Sequence, residues 1–342
     1  MSREKEITIY DIARELRLAP STISRALKSN KLIKASTTKK IVEKAEEMGY
    51  RHNNFASSLR NQKSNTIGIV LHRLNSSFIT SVLAGIEKVT AEAGYDIIIT
   101  HSAENYEKEA KNVLNLFHKR VDGVIASLSF NTKNLDHFKP FFEKNIPVIF
   151  FDRVEESSEQ THVIIDNYKC GYTATKHLLE QGCRRIVMLT SSLKRNVYGQ
   201  RHRGYTDALA DAGIGYNKNL VLVKDLSEES AIAAAHEILK MKPRPDGLFV
   251  TNDFEAAVCM QELKRHGMLV PEDIAIVGFN NDSISKIVDP QLTTINYPGK
   301  DMGEITAHYL LNSLMDMKNV ATATRIIVKS EFIVRGSSLR RK

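Results

Sequence analysis

The chain has 342 residues, a formal net charge of +8 and 42% hydrophobic residues, which is typical of a globular protein with a substantial core and two or three domains. No apolar run is long enough to cross a membrane, and residues 1–10 lack the apolar segment of a signal peptide. Cys170, Cys183 and Cys259 match neither zinc nor redox spacing, so we predict buried thiols, a cytoplasmic protein, and no membrane partner, metal or cofactor.

Three short amphipathic helices are predicted between residues 8 and 50. The first begins at Thr8 and ends near Leu16. The second begins at Pro20, a residue favoured at the first helical position, and the third spans Ser36–Met48 and ends at Gly49. Helical spacing predicts one shared apolar core, formed by Ile12, Ala13, Leu16, Ile23, Ala26, Leu27, Ile41, Val42, Ala45 and Met48. Two helices joined by a tight turn, with small polar residues and an arginine on the second, are typical of a helix-turn-helix.

Basic residues are concentrated at the same end of the chain. Residues 1–63 hold 14 Lys and Arg against 7 Asp and Glu, so seven of the eight net positive charges lie there. A cationic surface attracts the phosphate backbone of duplex DNA and releases its condensed counterions. Pattern and charge together predict a DNA-binding domain.

The next segment, residues 51–64, is polar and basic. Phe55, Ala56 and Leu59 form only a narrow apolar stripe in it, and so short a helix is unstable alone because helix nucleation is costly. We interpret this segment as a linker that becomes helical when something packs on it.

From Thr66 onward, apolar strands alternate with amphipathic helices. Near-continuous apolar strands such as Thr66–Leu71 and Ile274–Phe279 indicate parallel sheets covered on both faces, and a final strand is predicted at Arg325–Val334. An Asp-Gly dipeptide before an apolar strand occurs at 122–123 and again at 246–247, which indicates two similar halves. Two doubly wound halves place their crevices face to face, so we predict that a small ligand binds between them.

These residues resemble the LacI/GalR family of transcriptional regulators, which includes the lac and purine repressors. The resemblance extends over essentially the whole chain. It depends on the N-terminal motifs Thr8-Ile9, Asp11-Ile12-Ala13, Ser21–Leu27, Gly49-Tyr50 and Asn53–Arg60, and on the later motifs Ile67-Gly68, Val121-Asp122-Gly123, Pro147-Val148, Asp166-Asn167, Gly204-Tyr205, Asn252-Asp253, Val277-Gly278-Phe279 and Leu292–Ile295.

The resemblance implies a fold with an N-terminal all-α helix-turn-helix domain (residues 1–52), a hinge helix or linker (53–64) and an α/β periplasmic-binding-protein-like body (65–342) of two doubly wound parallel-sheet subdomains. The N-subdomain would comprise residues 65–166 and 297–328, and the C-subdomain residues 167–296 and 329–342. It also implies a ligand-responsive, sequence-specific repressor that binds a pseudo-palindromic DNA operator as a homodimer. A carbohydrate or related metabolite in the cleft would modulate its DNA affinity.

The resemblance also implies site residues. Positions that contact DNA in the family correspond here to Tyr10, Pro20, Ser21, Thr22, Ser24, Arg25, Lys31, Tyr50, Asn53, Ala56, Leu59 and Arg60. Arg25 can form a bidentate contact to guanine, worth ~1–3 kcal/mol of discrimination, and Leu59 would enter the minor groove as a wedge. Positions that contact the effector correspond to Phe78, Asp152, Arg195, Arg201, Asn252 and Asn280.

Several residues depart from the family pattern. Ala19 occupies a position where family members commonly have a capping serine, and Pro20 can contact a base only through apolar atoms. In the hinge, His52 replaces a common proline and Ser57 replaces a common arginine. Asn280 stands at a common aspartate, so a neutral amide would hold sugar hydroxyls. The chain has no tryptophan for stacking, so the identity of the effector stays open. The aromatic candidates for stacking are Phe78, Tyr198, Phe254 and Phe279, each of which fits a core position better than a stacking surface.

Three other functions fit the sequence less well. The chain has no P-loop, GxGxxG, GxSxG or HExxH motif and no metal-ligand spacing among its 11 histidines, so we predict no catalytic residues. Asp152 and Asp166 resemble a catalytic pair of carboxylates, but both lie at strand ends, where they would accept hydrogen bonds from ligand hydroxyls. A transport-type binding protein would need a signal peptide and no basic helical module. A DNA-binding protein without an effector is the stronger alternative.

Overall fold

The computed structural model describes residues 7–27, 32–50, 63–315 and 325–340. The chain folds as two compact units, Met1–Ser64 and Asn65–Lys342. The described part of the first unit contains the helices α1 (Ile9–Leu16), α2 (Pro20–Leu27) and α3 (Ala35–Glu47).

Local interactions set the ends of α1 and its turn toward α2. The Asp11 carboxylate accepts hydrogen bonds from the backbone N–H and the hydroxyl of Thr8, at 2.9 and 2.6 Å, which satisfies a backbone donor at the N-terminus of the helix. At the other end, Arg17 adopts a left-handed conformation with φ of 51°. This ends α1 and turns the chain toward the second helix.

The three helices share one small apolar core. Its buried members are Ile12, Ala13, Ile23, Ala26, Ile41 and Ala45, and Leu16, Leu27 and Met48 pack against them. The prediction that Val42 is buried is wrong, because its side chain is 37% exposed. Ile41 and Ala45 lie one turn apart and face the core, whereas Val42 is rotated by about 100° around the helix axis.

The second unit is an α/β body built on two six-stranded sheets. The first sheet has the order β11-β5-β4-β3-β1-β2 and is parallel throughout. Its strands are β1 (Thr66–Leu71), β2 (Asp96–His101), β3 (Gly123–Ala126), β4 (Val148–Phe151), β5 (His162–Ile165) and β11 (Arg325–Val328).

The second sheet has the order β12-β10-β9-β8-β6-β7 and is parallel except for β12, which runs antiparallel to β10. Its strands are β6 (Ile186–Thr190), β7 (Val221–Val223), β8 (Gly247–Val250), β9 (Ala275–Asn280), β10 (Thr293–Asn296) and β12 (Glu331–Ile333). We call the parts of the body around the first and second sheets the N-lobe and the C-lobe.

Nine α-helices are described in the body: α4 (Ser77–Glu92), α5 (Tyr106–His118), α6 (Lys139–Glu143), α7 (Asn167–Glu180), α8 (Asn196–Asp211), α9 (Glu228–Lys240), α10 (Asp253–Arg265), α11 (Ile284–Ile287) and α12 (Gly299–Met315). The central strands are buried along their length, as expected of parallel strands covered on both faces. Small residues permit the closest helix contacts. A Cβ on Gly171 of α7 would lie 2.2 Å from the Arg201 carbonyl of α8, and one on Gly204 would lie 2.2 Å from the Tyr168 carbonyl.

The predicted fold class is confirmed, with one correction. The apolar segment predicted as a single strand at Arg325–Val334 is two strands in two sheets, β11 in the N-lobe and β12 in the C-lobe. The alternation of apolar residues indicates a strand but does not show which sheet receives it. The packing of the two lobes decides that the strand ending at Val328 joins the first sheet and the strand beginning at Glu331 joins the second.

Candidate functional site

The outward face of α2 carries polar side chains and the inward face is apolar. Ser21 and Arg25 are exposed and lie one helical turn apart, so they project from the same side. Thr22, Ser24 and Pro20 are half-buried. The helix begins without a side-chain cap, and the Ala19 carbonyl accepts from the backbone N–H groups of Thr22 and Ile23 (2.8 and 3.2 Å).

The remaining residues predicted to bind DNA are placed unevenly. Tyr10 on α1 is 63% exposed and is available to a ligand. Tyr50 is half-buried and packs against the helical core, so its ring also supports the fold. The other predicted contacts lie outside the described residues: Lys31, Asn53, Ala56, Leu59 and Arg60.

A cleft with a volume of about 1010 Å³ lies in the body. It is bordered by the segments that follow β1, β2, β7, β8 and β9. In each sheet the strand order reverses beside the first strand of that lobe, and ligands of doubly wound folds bind at this point, outside the carboxyl ends of the strands. The described lining comprises residues 72–77, His101, Ala103, Glu104, Phe130, residues 225–229, Asn252, Phe254, Glu255 and Asp282.

Two arginines join the lobes beside the cleft. Arg153, after β4, donates to both carboxylate oxygens of Glu104 (2.8 Å each) and to the Tyr198 hydroxyl of α8 (3.2 Å). Its guanidinium also lies 4.1 Å from the centre of the Phe130 ring. Arg195, before α8, donates to the backbone carbonyl of Thr132 in the N-lobe. These contacts cross from one lobe to the other and would change if the lobes moved.

Three of the six residues predicted to bind the effector meet around Tyr297. Phe78 stacks on the Tyr297 ring, with centroids 4.1 Å apart, and the Tyr297 hydroxyl donates to Asp152 Oδ1 (2.7 Å). Burial raises the pKa of the Asp152 carboxyl, although Arg153 and Tyr297 oppose the rise. The guanidinium of Arg201 lies 3.5 Å from the centre of the Phe279 ring and 5.6 Å from that of Tyr297.

Arg201 is 3% exposed and is therefore not an ordinary surface arginine. It donates to Asn167 Oδ1 (2.8 Å) and to the Thr251 carbonyl (3.2 Å). The other three predicted residues are separate from this cluster. Asn252 lines the cleft, Arg195 lines a neighbouring cavity of about 230 Å³, and Asn280 donates to Asp282 Oδ2 (3.3 Å).

Sequence reasoning missed Glu255, a cleft residue on the first turn of α10. Its side chain is 3% exposed, lines the cleft, and has no hydrogen-bond partner for Oε2 among the described residues. Burial raises the pKa of its carboxyl to about 8. The signal was present in the sequence, because Glu255 occurs in the same helical stripe as the buried residues Ala256, Cys259 and Met260, where an ionisable residue is costly.

One cluster outside the cleft has metal-ligand chemistry. Ligand atoms of His236 on α9, Glu262 on α10 and His266 lie within 4.8 Å of one another. Glu262 already accepts from His236 Nε2 (2.8 Å) and from Arg265 (3.2 Å), so the cluster is a satisfied hydrogen-bond network. Cys170, Cys183 and Cys259 are buried and free, as predicted. No helix in the described ranges combines the length and apolar character needed to span a bilayer.

Comparison with known proteins agrees with both parts of this geometry. Residues 8–53 match the model of bacterial regulatory proteins of the lacI family, and residues 175–338 match a periplasmic binding protein-like domain. Catabolite control protein A of Priestia megaterium is 30% identical over 315 residues, which cover 92% of this chain and 94% of that protein. The chain belongs to the LacI family.

Two further comparisons give a curated relative and a solved structure of the same fold. The HTH-type transcriptional repressor PurR of Vibrio campbellii is 29% identical over 314 residues, covering 91% of this chain and 93% of that protein. A lac repressor dimer bound to operator and the anti-inducer ONPF has the same fold, with a TM-score of 0.86 at 22% identity over 98% of this chain and 100% of that one. The chain is therefore a ligand-responsive, DNA-binding transcriptional regulator.

Proposed function

We propose that this LacI-family regulator is a homodimeric repressor of a pseudo-palindromic operator, and that a small polar metabolite in the cleft changes its affinity for DNA. The observation that carries the proposal is the combination, in one chain, of an exposed arginine on the second helix of a basic helix-turn-helix with a cleft of about 1010 Å³ in a two-lobed body. Such an arrangement couples two binding sites through one conformational equilibrium, with a typical coupling of ~1–3 kcal/mol.

The DNA contacts are proposed from exposure and chemistry. Arg25 would read guanine in the major groove, with Ser21 beside it on the same face and Thr22 and Ser24 contacting phosphate or base edges. Pro20 would meet a base only through apolar contact. Tyr10, Lys31 and Tyr50 would contact the backbone, and Asn53, Ala56, Leu59 and Arg60 would act in the minor groove, with Leu59 as the wedge.

In the body, we assign the effector to the cleft and to the adjoining cluster around Tyr297. Asn252 lines the cleft, and Asp152, Arg201, Asn280 and Phe78 stand next to it as candidate acceptors, donors and stacking surface. The interlobe contacts of Arg153 and Arg195 are the ones that effector binding would rearrange. In this proposal the protein has no catalytic activity and acts in the cytoplasm, where its DNA is.

Operator binding by purified protein tests the first half of the proposal. Footprinting on genomic fragments should show a protected pseudo-palindrome, and mass measurement in solution should show two chains per operator. Arg25→Ala should relax discrimination at one base pair in each half-site by ~1–3 kcal/mol. Arg14→Ala is the matched control, since Arg14 is exposed on α1 and its loss removes the same charge away from the proposed reading face.

The control separates sequence reading from simple charge. If both arginine variants lose affinity equally on every operator variant, Arg25 binds phosphate and the base-reading role is wrong. Leu59→Ala should weaken operator binding while sparing binding to unrelated DNA. An equal loss on both would contradict the wedge role.

The alternative, a DNA-binding protein without an effector, makes a different prediction. A ligand that binds the folded body raises its melting temperature by mass action and shifts operator affinity. If no metabolite in a broad screen did either, the regulator would have to be assigned to that alternative.

A further inference from the structure

Glu255 is a buried carboxyl group that is incompletely satisfied by the protein itself. Its side chain is 3% exposed and reaches the cleft, and Oε2 has no hydrogen-bond partner within the described ranges. A buried carboxylate without a partner is costly. In the free protein the carboxyl group avoids this cost by holding its proton up to its pKa of about 8, and a cationic donor that arrives from the cleft would stabilise the ionised form.

The surroundings of Glu255 are strongly acidic. Six carboxyl groups occur in the described lining of the cleft: Glu104, Asp225, Glu228, Glu229, Glu255 and Asp282. Arg73 is the arginine of that lining, and its Nε lies 3.9 Å from Glu104 Oε1. Glu104 is in turn held by Arg153. In the part of the chain that the structure describes, no cation forms an ion pair with Glu255.

This charge distribution discriminates between classes of effector. A phosphorylated or carboxylated ligand would meet like charges from the C-lobe, where Asp225 and Asp282 line the cleft. Glu104 of the N-lobe adds little to this repulsion, because it is paired with Arg73 and Arg153. A neutral polyol would supply a hydroxyl donor but leave the excess negative charge uncompensated. A protonated amine would supply both the donor and the charge, and charge-assisted hydrogen bonds are about twice as strong as neutral ones.

We infer that the effector of this regulator carries a protonated nitrogen and that Glu255 is its counter-ion in the cleft. This inference depends on the proposed function, since it assumes that the cleft holds an effector. The chemical class is a small, hydrogen-bonding organic amine, such as an amino sugar, an amino polyol or a short polyamine.

Amine binding at this site should depend on pH. In the free protein, burial raises the pKa of Glu255 to about 8. The backbone N–H of Glu255 itself and Arg73 oppose the rise, and Asp282 and Asp225 add to it. An ammonium ligand requires the ionised carboxylate and releases its proton. The affinity for an amine that stays charged should therefore rise between pH 6 and pH 8. The affinity for a neutral ligand that binds the protein with Glu255 protonated should not rise over this range.

The test compares ligands that share a carbon skeleton and differ in the charged group that they carry. Full-length protein is titrated by calorimetry, and its melting temperature is followed, with three matched sets: glucosamine, glucose and glucose phosphate; glucamine, sorbitol and sorbitol phosphate; putrescine and butanediol. We expect at least one amine to bind at least about tenfold more tightly than its hydroxyl analogue, with no binding of the phosphates. A neutral or phosphorylated compound as the tightest ligand, or no amine binding at all, would overturn the inference.

A matched pair of variants assigns the effect to one residue. Glu255→Gln keeps the shape and removes the charge, so it should abolish the preference for the amine and its pH dependence, while changing the affinity for the hydroxyl analogue less than about threefold. Glu229→Gln removes the same charge from an exposed residue of the cleft lining and should leave the preference intact. Equal effects of the two variants would show that the amine is attracted by the summed negative charge of the cleft and not by Glu255 as its specific counter-ion.

Failure of this inference is distinguishable from failure of the proposed function. If operator binding is sequence-specific and responds to a neutral metabolite, the proposed regulatory function is correct and the proposal of an amine effector is wrong. If the protein shows no preference for any DNA sequence, the proposed function itself is wrong, whatever binds in the cleft.

Discussion

The two lobes each bury a glutamate on the first turn of a helix, and the two glutamates have opposite environments. Glu109 of α5 in the N-lobe accepts from the backbone N–H and hydroxyl of Ser129 (2.7 Å each), from the Thr132 hydroxyl (2.8 Å) and from His137 Nε2 (2.9 Å). Glu255 of α10 in the C-lobe is 3% exposed, yet its Oε2 lacks a described partner.

Burial therefore does not by itself determine what a buried carboxyl group does. Burial raises the pKa of Glu109, but the hydrogen bonds from His137, Ser129 and Thr132 outweigh it and hold the pKa below its ordinary value. At Glu255 burial prevails, and the pKa rises to about 8. Donors supplied by the chain make Glu109 a structural anchor of the loop after β3, whereas the missing donor at Glu255 points to a ligand.

Glu109→Ala should have the largest effect. It would remove the acceptor of four donors on Ser129, Thr132 and His137. The Ser129 hydroxyl can turn to Ser102 Oγ (2.6 Å), but the other three lose their described acceptor, so the free energy of unfolding should fall by about 3–5 kcal/mol. Urea unfolding at neutral pH, followed by circular dichroism, would measure it. Glu109→Gln, which retains one acceptor, should lose less. An unchanged urea midpoint for Glu109→Ala would contradict the structural role given to Glu109 and so its contrast with Glu255.

Glu255→Gln should act in the opposite direction. The amide keeps the shape of the side chain but has no charge to bury, so the variant should be more stable than the parent by roughly 4 kcal/mol at pH 8 and by almost nothing near pH 4. Paired melting curves at the two pH values give the difference. A variant that is less stable at pH 8 would show that Glu255 is already satisfied by the protein.

The stability of the parent chain should also reflect both glutamates. A carboxyl with a lowered pKa, such as Glu109, adds stability above its unfolded pKa, and this is lost as the pH falls through the folded value. Carboxyls with raised pKa values, about 8 for Glu255 and about 7 for Asp253, cost stability as the pH rises from about 4 toward those values. We expect a maximum in the weakly acidic range, and Glu255→Gln should move it upward.

Thr132→Val should have the smallest effect of the series. It removes one of the hydrogen bonds to Glu109, that from the Thr132 hydroxyl, and leaves the Thr132 carbonyl available to Arg195. A loss of about 1 kcal/mol is expected from urea unfolding. A much larger loss would mean that the loop depends on this residue rather than on the whole set of donors around Glu109.

Local sequence patterns predicted the helices and strands well where each face of an element is either wholly buried or wholly exposed. The helix-turn-helix follows from Pro20 at a helix start and from buried Ile23 and Ala26, and the parallel sheets follow from continuous apolar strands. The same reasoning failed at Val42, which lies at the margin of the core, and at Arg325–Val334, where one apolar segment supplies strands to two sheets.

The cleft was predicted from the two similar halves, but its individual residues were predicted only through the resemblance to a family. That resemblance brought Asp152, Arg201 and Phe78 into the argument, and the structure places them around Tyr297, a residue that no motif indicated. It could not indicate Glu255, Arg153 or Glu104, because their roles depend on partners far away in the chain.

The sequence by itself determined the class of protein: a concentrated basic charge and helical spacing specify a DNA-binding unit, and alternating apolar strands and helices specify a two-lobed α/β body. Both are properties of neighbouring residues, so local pattern carries them. Tertiary structure alone decided which carboxyl group is satisfied and which is not, because hydrogen-bond donors and desolvation come from elements that meet only after folding. Glu109 and Glu255 have the same side chain and similar helix positions, and only the folded chain distinguishes an anchor from a binding group.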